Sequence, residues 1–247
     1  MRLNVELNAT DSIRLPIHYN YLIQSLIYHS MAGEFAEFLH NQGYEVEKRK
    51  FKLFTFSRLL GSYKIIGQEI LFTPPVRLII SSPLKEFCQY LLNGLLSQEP
   101  IRLGSNEIEV EKVSLNAPQA TDEIKIRMLS PVVAYSTFTK PDGGKYTCYF
   151  QPGEREFNRL VEENLKKKYQ AFHYQAPPAS EIRIKCLKPP RLHLIKYKNY
   201  VIKGYSGLLS LHGPQSLLQM ALNAGLGSKN SMGFGCGELL DHNMKER

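Results

Sequence analysis

Leu3, Val5 and Leu7 alternate with Arg2, Asn4 and Glu6, the period-two pattern of a strand with one buried face. The spacing then changes: Tyr19, Leu22, Ile23, Leu26 and Ile27 recur at helical intervals behind Pro16, a residue that a first helical turn tolerates. A helix is predicted over 17–31. Phe35, Phe38 and Leu39 carry a second, short helical pattern that Gly43 stops. Strand-like runs follow at 52–57 (KLFTFS), 60–66, 70–73 and 76–81, then an amphipathic helix over 82–97 and a closing strand around Ile108, Val110 and Val113.

Strand, helix, strands, helix, strand is the split βαβ order of a ferredoxin-like domain, with both helices on one sheet face. The stretch 116–122 (NAPQATD) reads as a linker. Beyond it the order recurs: strand at 124–137, helix at 154–169, strands at 180–187, 191–197 and 200–210, helix at 214–222 and strand at 231–240. The expectation is an α+β chain of two tandem ferredoxin-like (βαββαβ) domains, residues 1–118 and 123–242, with a C-terminal glycine-rich loop. A single larger α+β domain is the alternative.

Composition narrows the function. The chain has 247 residues, 43% of them hydrophobic, enough apolar surface for a sizeable core. Its formal charge of +8 favours polyanionic partners. Cys88, Cys148, Cys186 and Cys236 are far apart with no CxxC pair, which argues against a zinc site or a disulfide framework, so no metal site is expected. The N-terminus lacks the basic and apolar regions of a signal peptide, and no apolar run approaches the ~18 residues of a membrane span, so a cytoplasmic protein without membrane contact is expected.

The most specific signal runs from Gly225 to Gly235: GxG, five residues, GxG. Glycine permits positive φ and close backbone approach, so Gly225, Gly227, Gly233 and Gly235 could turn N–H groups toward a phosphate chain beside Ser228, Lys229 and Asn230. A flexible hairpin is the plainer reading. The loop lacks the GK[ST] of a phosphate-binding P-loop, and it follows a helix into a strand, unlike a dinucleotide-binding turn.

This loop, after a helix of a second ferredoxin-like half, resembles the RAMP superfamily of CRISPR-associated proteins. Pro16 to Tyr28 ending QSLIY, FLH at 38–40, KLFTFS at 52–57, Asn93 to Leu96 and Leu129 to Val132 are similar to its repeat-RNA-processing endoribonuclease, so the resemblance touches nearly the whole chain. In relatives that cut with tyrosine, histidine and lysine, those residues lie at the end of the first helix, after the next helix and before an LFT-like strand; here the positions hold Tyr28, His40 and Lys52. His29 rivals His40, and Lys48, Arg49 and Lys50 rival Lys52.

The resemblance implies an endoribonuclease that binds CRISPR repeat RNA and cleaves precursor crRNA by attack of a 2′-OH, without metal or other cofactor, leaving a 2′,3′-cyclic phosphate and a 5′-OH. Such chemistry needs a proton taken, a proton given and a charged phosphorane stabilised, which His40, Tyr28 and Lys52 could supply. Lys188, Arg191, Lys196, Lys198 and Lys203 are candidate backbone contacts, interleaved with Tyr197, Tyr200 and Tyr205 as stacking candidates. Lys166, Lys167 and Lys168 are expected on a solvent-facing helix side. A non-cleaving RNA-binding subunit of a CRISPR ribonucleoprotein is the alternative, and association with other Cas proteins and homodimerisation stay open.

Overall fold

The structure, a computed structural model, describes residues 1–31, 33–97 and 101–240. Arg2–Asn8 forms a strand in which Leu3, Val5 and Leu7 are buried, as their alternation requires. It is central to an antiparallel sheet in the order Thr55–Phe56, Val76–Ser81, Arg2–Asn8, Asn106–Asn116, Ile101–Leu103. Two helices, α1 (Asn20–Ser30) and, after the short α2 (Glu34–Glu37), α3 (Lys85–Ser97), pack together, and α3 also contacts the central strands.

The second half repeats this plan. Its sheet runs Arg183–Cys186, Leu208–His212, Glu123–Met128, Gly237–Leu239, again antiparallel. Helices α4 (Arg155–His173) and α5 (Gln215–Ala224) pack on each other, and α5 lies on this sheet. Counted in chain order, the second sheet reads second, third, first, fourth, and the first reads second, third, first, fifth, with its fourth strand added at the edge, so the chain is an α+β protein of two tandem ferredoxin-like domains. One hydrophobic cluster, from Leu3 to Leu226, spans both, and a smaller one gathers Val133, Ile195, Tyr197, Ile202 and Phe234.

Several sequence expectations are corrected. Pro16 ends a strand, Ile13–Pro16, that pairs with Glu69–Phe72, and α1 begins only at Asn20. The 52–57 run is a strand only at Thr55–Phe56, because Leu53 takes a positive φ of 53°. The 124–137 stretch breaks into Glu123–Met128 and Ala134–Thr139, and the second piece pairs with Lys145–Phe150, a strand the pattern did not reveal. Likewise 200–210 divides at Gly207, and the Arg191–Tyr197/Tyr200–Ser206 hairpin stands outside the main sheet. The 231–240 stretch opens as a 3-10 turn and is strand only at Gly237–Leu239. Among the described residues, no helix is long and apolar enough to cross a membrane.

The placement of α1 depends on one close approach. A Cβ at Gly94 of α3 would sit 1.6 Å from the Ser30 carbonyl oxygen at the end of α1, so only glycine lets the two helices cross there. Gly94→Ala should therefore destabilise the chain by about 2–3 kcal/mol or more, as overpacked cores do. Chemical denaturation monitored by circular dichroism reads that loss.

Candidate active site

Tyr28 lies in the last turn of α1. His40 lies on a π-helical turn, Phe38–Gln42, that continues α2 and ends at Gly43 with a φ of 69°. Lys52 follows the hairpin Tyr44–Val46/Arg49–Phe51. These three elements bring the three side chains together. The Tyr28 and His40 rings meet edge to face with centroids 5.2 Å apart, and Tyr28 makes a similar contact with Phe54 at 5.8 Å. The Lys52 ammonium donates to the His40 carbonyl oxygen at 2.8 Å, and His40 Nδ1 lies 2.9 Å from Asn41 Oδ1.

Burial pushes the Tyr28 hydroxyl far above the usual tyrosine range, with Tyr197 adding to the shift. Burial and then the charge of Lys50 push the Lys52 ammonium down. His40 is exposed at the surface of this group. The rival His29 is also exposed, but its Nδ1 lies 2.7 Å from the Ser25 carbonyl oxygen of its own helix.

Lys52 also lines a cleft of about 530 Å³ between the 49–54 segment and the second domain. Arg49, Lys50, Lys168 and Lys229 line it too, whereas none of its described lining residues is Asp or Glu. Lys229 sits over the Tyr135 ring at 5.0 Å. The cleft is therefore lined by positive charge, and it adjoins the tyrosine and histidine through Lys52.

The glycine-rich loop forms one wall of this cleft, and it is packed rather than loose. All four of its glycines have positive φ. At Gly233 a Cβ would lie 2.5 Å from the Phe56 ring and 2.6 Å from Asn20 Nδ2, so the loop presses on the first domain where no side chain fits. Its carbonyls are captured by donors. Asn20 reaches Met232 and Gly233 (2.9 and 3.2 Å), Gln24 reaches Ser231 (2.6 Å), and Thr55 reaches Phe234 (2.9 Å). Asn230, expected to face phosphate, instead turns its amide inward to Leu226 and Phe234, both at 3.0 Å. Ser228 and Lys229 line the cleft.

Lys168 is the largest departure from expectation. It is 2% exposed, and its ammonium donates to the carbonyls of Gly225 (2.7 Å) and Gly227 (2.9 Å). Burial pushes it well below the usual lysine range, while the two carbonyl dipoles favour its protonated form. The signal was present in the sequence: Phe157, Val161, Asn164, Lys168 and Ala171 share one helical face, and all five are buried. Lys166 and Lys167 are half-buried and pair with Glu162 and Glu47.

Lys188, Arg191, Lys196, Lys198 and Lys203 are exposed, as a backbone-binding role requires, but none lines the cleft. Tyr197 is no stacking platform, because it is 6% exposed and its hydroxyl donates to Gln24 Oε1. Tyr200 is open to solvent.

Lys168→Met keeps the packing volume but removes the donors, leaving two buried carbonyls unmet. It should cost about 2–4 kcal/mol of stability. It should also speed amide hydrogen exchange in 225–235 ahead of the two sheets, which exchange read by mass spectrometry checks.

The comparisons with known proteins cover the whole of this architecture. The family "CRISPR-associated protein Cas6, N-terminal" matches residues 14–114 and "CRISPR associated protein Cas6, C-terminal" matches residues 112–239. The chain is 32% identical over 243 residues to "CRISPR-associated endoribonuclease Cas6 1" of Methanocaldococcus jannaschii, covering 95% of this chain and 91% of that protein. It is 26% identical over 246 residues to "CRISPR-associated endoribonuclease Cas6" of Pyrococcus furiosus, covering 95% and 88%. A solved structure titled "CRISPR associated protein Cas6" superposes with a TM-score of 0.80 at 29% identity, over 98% of this chain and 99% of that one. A Cas6-related protein from Pyrococcus furiosus superposes at 0.86 with 20% identity, over the same shares. With its fold, its loop and both halves of its sequence matched, the chain belongs to the Cas6 family of CRISPR-associated proteins.

Proposed function

We propose that the chain is an endoribonuclease that binds CRISPR repeat RNA and cleaves precursor crRNA within the repeat, by attack of an internal 2′-OH and without a metal ion. The observation that carries this reading is the convergence of Tyr28, His40 and Lys52 at the edge of a cation-lined cleft. The two curated relatives described above are named endoribonucleases, which supports the same reaction class.

In this reading the 2′-oxygen bonds to phosphorus, the bond from phosphorus to the 5′-oxygen breaks, and one proton leaves the first oxygen while another reaches the second. The acceptor Oδ1 of Asn41 beside His40 Nδ1 favours the tautomer protonated there, leaving Nε2 as the free lone pair. His40 is thus the base that takes the 2′-OH proton. Tyr28, held protonated by burial, donates to the 5′-oxygen. Lys52 stabilises the charge on the phosphorane. The products carry a 2′,3′-cyclic phosphate and a 5′-OH. In this assignment residues 1–118 carry the chemistry, and residues 123–242 supply Lys229 and the exposed hairpin cations that track the backbone.

His40→Ala and Tyr28→Phe should each slow single-turnover cleavage of a repeat RNA by about 10²-fold or more, with RNA affinity little changed. A 2′-deoxy nucleotide at the cut should abolish the reaction. Binding without cleavage by the unmodified protein, in the presence and absence of divalent ions, would instead favour a non-cleaving RNA-binding subunit.

The pH profile gives a separate check. Lys52 is pushed down by burial and by Lys50, so its positive charge is lost as pH rises through a value below the ordinary ~10.4 of lysine. Cleavage should therefore fall on an alkaline limb below that value. Lys50→Gln removes a repelling charge and should move the limb to higher pH in single-turnover rates at saturating protein.

A further inference from the structure

One group on α1 has no use in this scheme. Gln24 lies one turn before Tyr28 and is half-buried, and the second domain holds both ends of its amide. Its Nε2 donates to the Ser231 carbonyl of the glycine-rich loop at 2.6 Å, and its Oε1 accepts from the Tyr197 hydroxyl of the Arg191–Tyr197/Tyr200–Ser206 hairpin. The two contacts fix the orientation of the amide. A carbonyl oxygen only accepts, so the nitrogen must face Ser231, and the oxygen left over takes the Tyr197 proton. That donor is itself set in a core: Tyr197 is 6% exposed and clusters with Val133, Ile195, Ile202 and Phe234. Burial pushes its hydroxyl up to about 12, so it stays protonated at neutral pH.

The place of this link matters more than its strength. Residues four apart are neighbours on a helix surface, so Asn20, Gln24 and Tyr28 occupy successive turns along one side of α1. Asn20 holds the loop, whereas Gln24 holds loop and hairpin together. Tyr197 also lies near enough to Tyr28 to add to the upward shift of its hydroxyl. The hairpin end abuts the segment leading into α1, because Lys196 and Lys198 line one pocket with Pro16, His18 and Tyr21. Rotation of α1 about its axis would swing the Tyr28 ring away from His40 and Phe54, whose rings it meets edge to face. A side chain pinned from two directions one turn away opposes that rotation. Misplacement of a reacting group by ~1 Å costs up to ~10²-fold in rate, so a modest contact at this point carries a large kinetic effect.

We propose that Gln24 and Tyr197 are positioning residues for RNA cleavage, the second domain acting through them to set the rotation of α1 at which Tyr28 faces the leaving 5′-oxygen. This rests on the RNA-cleaving reading above and deepens it. Neither residue touches a reacting atom, so their loss slows the chemical step and leaves the grip on RNA intact.

The test uses full-length protein and a repeat RNA. Single-turnover rates are read at saturating protein, and affinity is read by fluorescence anisotropy on the same RNA carrying a 2′-deoxy nucleotide at the cut. Tyr197→Phe keeps the buried ring and removes the donor, and Gln24→Leu removes both contacts. Each should cut ~10-fold more slowly, equivalent to ~1.4 kcal/mol of barrier, with the affinity of the parent. In a Tyr28→Phe background neither substitution should slow the residual reaction further, because the group they position is gone. A general loosening of the fold would slow both backgrounds alike.

The positioning role is overturned if either Tyr197→Phe or Gln24→Leu cuts at the parent rate, or if affinity falls in step with the rate. It is also overturned if either substitution slows the Tyr28→Phe protein by the factor it shows in the parent. A Tyr28→Phe protein that cuts as fast as the parent removes the assignment of Tyr28 and this role with it. A parent that binds RNA without cutting removes the cleavage reading as well, whereas a cutting parent indifferent to both substitutions removes the positioning role alone.

Discussion

The junction between the two domains depends on how the carbonyl groups of the 225–235 loop are met. A loop pressed between two domains cannot leave its peptide oxygens unpaired, because a buried carbonyl without a donor costs as much as a lost hydrogen bond. Here the donors are side chains: Lys168 from α4, Asn20 and Gln24 from α1, Thr55 from the first sheet and Asn230 from within the loop. Two of these come from the helix that also carries Tyr28. The fastening that joins the domains therefore fixes the helix that carries Tyr28, and the fixed face of the loop becomes one wall of the cleft.

The same geometry reconciles two demands on the cleft. It gathers cations, as the proposed RNA substrate calls for, yet it must hold its shape with those cations repelling one another. Lys168 is sunk beneath the loop, where backbone oxygens partner it, and Lys229 rests on Tyr135. Lys52 is tied to the His40 carbonyl. Each of these three charges is restrained by a neutral group, so the cleft keeps its positive potential without carboxylates among its described lining residues that would cancel it.

Much of this was legible in the sequence, and what was not has identifiable causes. Period-two and helical spacing revealed both domains because each element buries one face. Tyr28, His40 and Lys52 came from the resemblance, since nothing in their spacing shows that a helix end, a turn and the exit of a hairpin meet. The glycines were seen, but their use was misjudged in part: sequence shows that a position tolerates positive φ, not whether phosphate or Phe56 is what approaches it. Lys168 was hidden by composition, since a run of three lysines invites the reading of a solvated face. The helical phase set by Phe157 and Val161 argued otherwise, and phase was the better guide because one face of α4 is wholly packed.

The π-helical turn at Phe38–Gln42 closes an i to i+5 ring, seen in the Gly43 N–H donating to the Phe38 carbonyl at 2.8 Å. Such a turn accommodates one residue more than an α-helix would over the same rise. Each residue added or removed turns the following side chain by about 100° around the axis, so the bulge determines that His40, rather than a neighbour, faces Tyr28. The count of residues between tyrosine and histidine is thus not itself under constraint. A relative whose helix lacks the bulge must carry its histidine one place earlier to reach the same ring, and an alignment that keeps the numbering in step would put the wrong residue in the site.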